Sequence, residues 1–80
     1  MSKYQLQRRM KRCVAMADND LERALLNIKE LHDNFDGVHP VEAQSLEVMA
    51  QGMLAIKDLL REFWTICWGE CPKDLTGYRE

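Results

Sequence analysis

Apolar side chains recur at alternating intervals of four and three residues through much of this 80-residue chain. A repeat of this kind places its apolar members on one stripe of an α-helix and is typical of a coiled-coil seam. We therefore predict an all-α protein in which two long helices meet in a coiled-coil-like contact. The first stripe comprises Met10, Val14, Ala17, Leu21, Ala24, Ile28, Leu31 and Phe35, and the second comprises Leu46, Met49, Met53, Ile56, Leu60, Phe63 and Cys67.

The break between the two stripes predicts where the helices begin and end. No proline or glycine precedes Gly37, so the first helix should span residues 3–34. Gly37 suits a helix C-terminus and Pro40 suits a first helical turn, which predicts a loop at 35–39 and a second helix at 40–68. Because the loop is so short, the second helix must return beside the first as an antiparallel hairpin.

The hairpin also has a predicted register and a predicted boundary. Folding the chain about its loop places Ile28 level with Met49 and Leu21 level with Ile56. The hairpin should occupy residues 1–69 as one domain. Residues 70–80 should form a short polar tail, in which Leu75 and Tyr78 are the sizeable apolar anchors.

Two helices that share one seam remain largely exposed to water, so we expect the hairpin to assemble into a helical homo-oligomer. The alternative is that the C-terminal tail folds back over the apolar residues outside the seam. Leu26, Leu54 and Trp64 lie outside the predicted seams and are expected at or near the contact between subunits. Gly52 would permit a close backbone approach. Glycine inside a helix costs about 1 kcal/mol relative to alanine, which suggests a packing reason for its presence.

Charge is divided unevenly along the chain. The net charge is -2, but residues 1–17 hold five basic side chains and no acidic one, whereas the other 63 residues sum to -7. A protein that binds nucleic acid over much of its length is expected to be basic throughout. We therefore expect no duplex DNA partner, because an extended polyanion would also meet the acidic part of the molecule.

The sequence indicates neither a membrane protein nor a metal site. No apolar run approaches the ~20 residues of a membrane-spanning helix, and the N-terminus lacks a signal-peptide stretch, so we expect a cytoplasmic protein. Three cysteines favour reduced thiols, although a disulfide between Cys67 and Cys71 is possible. Their spacing, with that of His32 and His39, is not typical of structural zinc sites, so we predict no metal or cofactor.

The sequence contains no phosphate loop, Rossmann glycine set, H-E-x-x-H or nucleophile elbow, so we predict no enzymatic activity and no catalytic residue. The basic end of the first helix is the best candidate binding site. Arg8 and Arg12 could hold a phosphate while Tyr4 stacks on a base. Alternatively, these arginines form surface ion pairs with acidic residues at the end of the second helix, such as Asp58 and Glu62.

Two segments resemble the helical hairpin of phage anti-CBASS proteins, which sequester cyclic nucleotides. Residues 24–31, ALLNIKEL, resemble the first hairpin helix of that family, and residues 51–56, QGMLAI, resemble part of its second helix. The family's Gly-Tyr-Arg tripeptide precedes its hairpin, whereas here residues 77–79 follow it. The resemblance implies a multimeric, non-enzymatic sponge that binds second messengers between subunits, with Lys29 and Tyr78 as ligand-binding residues.

Two functions are consistent with these features. The first is a small helical binding protein, of a kind found in phage counter-defence, that acts as an inhibitor or adaptor on a protein partner. The alternative is a multimeric sponge that binds cyclic nucleotide messengers through Tyr4, Arg8, Arg12, Lys29 and Tyr78. The first needs an exposed helical face, whereas the second needs its basic residues brought together around one small anion.

Overall fold

The computed structural model describes residues 3–35, 37–73 and 75, with side chains described from Gln5 onward. The described residues form two helices, α1 at Lys3–Phe35 and α2 at Pro40–Trp68, and no strand. Both helices end within one residue of the bounds expected from the sequence. They pack against each other as an antiparallel hairpin about 54 Å long, so the all-α hairpin is confirmed.

The turn forms where the loop was expected, and its backbone explains why. Gly37 has a φ of 79°, a left-handed conformation that glycine adopts without steric cost. The backbone N–H of Val38 and that of His39 both donate to the carbonyl oxygen of Phe35, at 3.2 and 2.8 Å. Pro40 then occupies the start of α2, where its missing N–H costs no hydrogen bond.

Polar contacts between the helices establish the register of the hairpin. His32 lies 3.0 Å from the Glu47 carboxylate, and Lys57 donates a hydrogen bond to the Glu22 carboxylate. Near the open end of the hairpin, the Lys11 ammonium lies 5.5 Å from the centre of the Trp64 ring. These pairs lie at the levels expected from folding the chain about its loop.

The face that each helix buries differs from the predicted seam. On α2, Met49, Ile56 and Phe63 keep 45–48% of their surface exposed, although the apolar repeat placed them in the contact. At each of these three positions, the following residue faces α1 instead: Ala50, Lys57 and Trp64. Trp64 is the most deeply buried of them, at 3% exposed. On α1 the same displacement brings Asp18 into the contact.

Cross-helix chemistry explains this rotation. Turning both helices by one position buries Trp64, the largest side chain available, and places Asp18 beside Lys57. The apolar positions that the rotation leaves outside have lost packing, whereas Asp18, which the rotation brings inside, lies within ion-pair distance of Lys57. The spacing of apolar residues carries no information about such pairing, which is why the predicted seam was wrong at alternate positions.

The tail packs on the hairpin in part. Leu75 is fully buried, in a core cluster with Val14, Ala15 and Trp64. The Arg61 guanidinium donates to the Pro72 carbonyl oxygen at 3.3 Å, which holds the chain against α2 as it returns. The predicted polar tail therefore supplies an element of the core. Tyr78 lies outside the described residues.

One side of the hairpin is left apolar and exposed. In an antiparallel pair, equivalent stripes next to the contact on the two helices fall on the same side. One of the two sides of the hairpin carries Lys29 and Glu47, which line one cavity. The same side carries Ala15, which packs with the tail residue Leu75. The other side is not covered in this way by any residue that the structure describes. We call the uncovered side the open face; its large residues are Met10, Leu31, Met49, Ile56 and Phe63, all between 43 and 48% exposed.

The residues expected between subunits have different surroundings. Leu26 and Leu54 are exposed, at 61 and 52%, and their role at an interface stays a prediction. Trp64 is buried inside its own chain and leaves little surface for a second subunit, and its place at or near an interface also stays a prediction. A side chain built at Gly52 would meet nothing within 4 Å, so no close approach within the chain accounts for this glycine.

Candidate binding surfaces

The basic end of α1 forms a shallow cavity lined by arginine side chains. Arg8, Arg9 and Arg12 lie on adjoining positions of the helix surface and, with Gln5, line a cavity of about 320 Å³. Neighbouring guanidinium groups of this kind suit a compact phosphate, because each presents several N–H donors in a plane. The side chain of Tyr4, expected to stack beside them, lies outside the described side chains.

Lys11 does not belong to this cluster. Its ammonium group lies 5.5 Å from the Trp64 ring centre and 5.7 Å from that of Trp68, which is cation–π geometry. The two indole rings themselves meet edge to face, with centroids 5.1 Å apart. One of the five basic residues in the N-terminal segment therefore packs against the aromatic core.

Lys29 lies far from the arginines. It is 17 residues from Arg12 on the same helix, which corresponds to about 25 Å. Lys29 lines a separate cavity of about 250 Å³, together with His32, Glu47 and apolar residues of both helices. A single chain therefore does not bring Lys29 and Arg12 to one ligand, and the acidic Glu47 in the lining of the same cavity disfavours an anion there.

A buried charged cluster lies at the centre of the hairpin, and sequence reasoning missed it. The Asp18 side chain is fully buried, and its Oδ1 lies 3.8 Å from the Lys57 Nζ, which itself is 13% exposed. Lys57 also pairs with Glu22, whose side chain is 46% exposed. A signal was available, because Asp18 and Lys57 lie close to level in the predicted register, on the positions next to the apolar stripes.

Potential metal ligands do not gather in the described part of the chain. No group of three or more histidine, cysteine, aspartate or glutamate side chains comes together there to hold an ion. His32 and His39 lie at the loop end, whereas Cys67 and Cys71 lie at the opposite end of the hairpin. All three cysteines carry free thiols, and Cys13 and Cys67 are exposed.

The open face is an exposed apolar feature to which both helices contribute. Its α2 members Met49, Ile56 and Phe63 are spaced seven residues apart, so they form one straight stripe along the helix. At the basic end of the hairpin, Met10, Cys67 and Trp68 help to line a cavity of about 270 Å³. Continuous exposed apolar surface of this length on a small protein is typical of an interaction site.

Comparison with known proteins gives no indication of the function of this chain. No protein-family model, curated protein or solved structure matches the chain. Neither of the two helices contains a stretch both long enough and apolar enough to cross a membrane.

Proposed function

We propose that this protein is a non-enzymatic helical binding protein that acts as an inhibitor or adaptor by packing its open face against a helical surface of a protein partner. The observation that carries the proposal is the exposure of Met49, Ile56 and Phe63 on one side of α2. Amphipathic helices recognise partners through apolar residues repeated along one face. A phage counter-defence role stays part of this proposal.

The open face is bordered by side chains of different size on its two helices. Its α1 border carries the small Ala17 and Ala24 between the larger Met10 and Leu31. Larger residues of α2 line the other border. A partner helix laid along this face would cover apolar surface on both helices.

A matched pair of substitutions on α2 tests the proposal. Ile56 and Leu54 have nearly equal exposure, 48 and 52%, but Leu54 lies away from the open face. A photo-reactive amino acid at position 56 should cross-link to the partner, whereas the same group at position 54 should not. Binding of the identified partner should then weaken at least tenfold in Ile56→Glu and stay unchanged in Leu54→Glu. Equal cross-linking at both positions would contradict the proposal.

The nucleotide sponge is a second candidate because Arg8, Arg9 and Arg12 line one cavity. A cyclic di- or trinucleotide held there should raise the melting temperature by several degrees at concentrations far above its dissociation constant. Arg8→Ala with Arg12→Ala should abolish that shift. The Lys29→Ala variant should also reduce it only if an assembly brings Lys29 of one subunit to the arginines of another.

A further inference from the structure

We propose that a second copy of this chain occupies the open face, antiparallel to the first, and completes a four-helix bundle around a two-fold axis at Ile56. This inference rests on the proposed function because it concerns the same face: a second copy covers the open face of the free protein, and an inhibited or bridged partner would have to displace it. It is argued from the surface area of the single chain, from the residue pattern of the open face and from the charges at its two ends.

The single hairpin exposes more surface than a folded monomer of its size. Its accessible surface is 6098 Å², whereas folded monomers of 9.4 kDa average about 5,000 Å². Its radius of gyration of 15.9 Å also exceeds the roughly 12 Å of a compact 80-residue domain. The excess of about 1,100 Å² is comparable with the roughly 800 Å² that each partner buries in a standard interface.

The residue pattern of the open face is symmetric about its midpoint. On α2, Ile56 lies midway between Met49 and Phe63, so reversing the helix superposes large residues on large residues. On α1, the stripe has large residues at both ends, Met10 and Leu31, with alanines between them. Its midpoint falls beside Leu21, the residue that the hairpin register places level with Ile56.

One two-fold axis therefore suits both helices. Around it, Ile56 meets Ile56 of the second copy, and Met49 meets Phe63 of the second copy. On the neighbouring helix, Ala17 lies opposite Ala24 of the second copy, and their small side chains permit a close approach. An isologous contact needs this self-complementarity, since each patch must fit itself after rotation.

Charge favours the antiparallel arrangement over the parallel one. The open end of the hairpin, residues 1–17 and 60–73, holds seven basic and two acidic side chains, whereas residues 29–47, around the loop, hold one basic and five acidic side chains. Antiparallel stacking places Arg8 of one copy level with Asp33 of the other. Parallel stacking would bring two basic ends together over the length of the N-terminal segment, and like charges so placed repel.

Light scattering after size exclusion tests the assembly. We expect the wild-type chain at 50 µM to have about twice its 9.4 kDa mass. Ile56→Glu places two like charges at the axis and should raise the dimer dissociation constant at least a hundredfold. Leu54→Glu, equally exposed but away from the open face, should stay dimeric. A wild-type monomer at 500 µM, or equal loss of dimer in both variants, would overturn the proposal.

Symmetric disulfide formation tests the orientation even if Ile56→Glu fails to fold. In the 80-residue chain with Cys13, Cys67 and Cys71 replaced by serine, Ile56→Cys should form a disulfide-linked dimer on mild oxidation. Phe63→Cys should form no disulfide-linked dimer, because residue 63 of the second copy would lie about 21 Å away along the helix axis, too far for a disulfide. Equal cross-linking of both variants would indicate that the two α2 helices lie parallel. No cross-linking of either variant would exclude a two-fold axis at Ile56.

The same variants separate this inference from the proposed function. The probe is 1-anilinonaphthalene-8-sulfonate, a dye that fluoresces on exposed apolar surface. A monomeric wild type that binds the dye, with binding lost in Ile56→Glu and kept in Leu54→Glu, would refute the second copy and leave the face available to another partner. A monomer that does not bind the dye would refute both.

Discussion

Replacing Lys57 by methionine should destabilise the hairpin more than any change of similar size on its surface. The substitution keeps the length of the side chain but removes the ammonium group that lies 3.8 Å from the Asp18 carboxylate. That carboxylate is fully buried. Its charge would then stay in a poorly solvated position without Lys57 beside it.

The burial of Asp18 sets the expected loss in the free energy of unfolding. Removing one partner of a buried ion pair typically costs about 3–5 kcal/mol. An 80-residue domain is stabilised by only about 4–12 kcal/mol, so the loss would be a large share of the total. Glu22 is the matched control because its side chain is 46% exposed, and Glu22→Gln should cost no more than about 1 kcal/mol.

Urea denaturation followed by far-ultraviolet circular dichroism measures these differences, with every variant at one protein concentration. The double variant Asp18→Leu with Lys57→Met removes both charges and should recover most or all of the wild-type free energy of unfolding. The reasoning would be refuted if Lys57→Met lost less than 1 kcal/mol. A double variant as unstable as Lys57→Met would refute it equally.

Three further outcomes are expected. Trp64→Ala should lower the free energy of unfolding by about 3–5 kcal/mol in the same assay, because the indole is 3% exposed in its own chain; a loss under 1 kcal/mol would contradict its burial. Leu75→Ala should cost about 2–5 kcal/mol and raise the hydrogen exchange of α2 near Trp64, whereas an unchanged exchange pattern would mean that the tail is not part of the core. Duplex DNA should give no specific gel shift at ~150 mM salt, and Arg8→Ala with Arg12→Ala should change nothing; nanomolar binding abolished by those two changes would contradict this.

Much of the architecture could be predicted because it depends on local signals. The long apolar repeats specify helices wherever no proline or glycine intervenes, and Gly37 with Pro40 marks the turn by backbone conformation alone. A short loop then leaves an antiparallel return as the accessible arrangement, which also determines the register. The separation of Lys29 from Arg12 was likewise available from the sequence, since the rise of a helix sets it.

The choice of buried face required the tertiary structure. Apolar residues cover more of each helix than one contact can bury, so periodicity alone left more than one rotation open. The rotation adopted depends on pairs across the hairpin, such as Asp18 with Lys57 and Lys11 with Trp64, and on Leu75 returning from the tail. Such contacts arise between residues distant in sequence, and their energies decide which apolar stripe is packed inside and which is left on the open face.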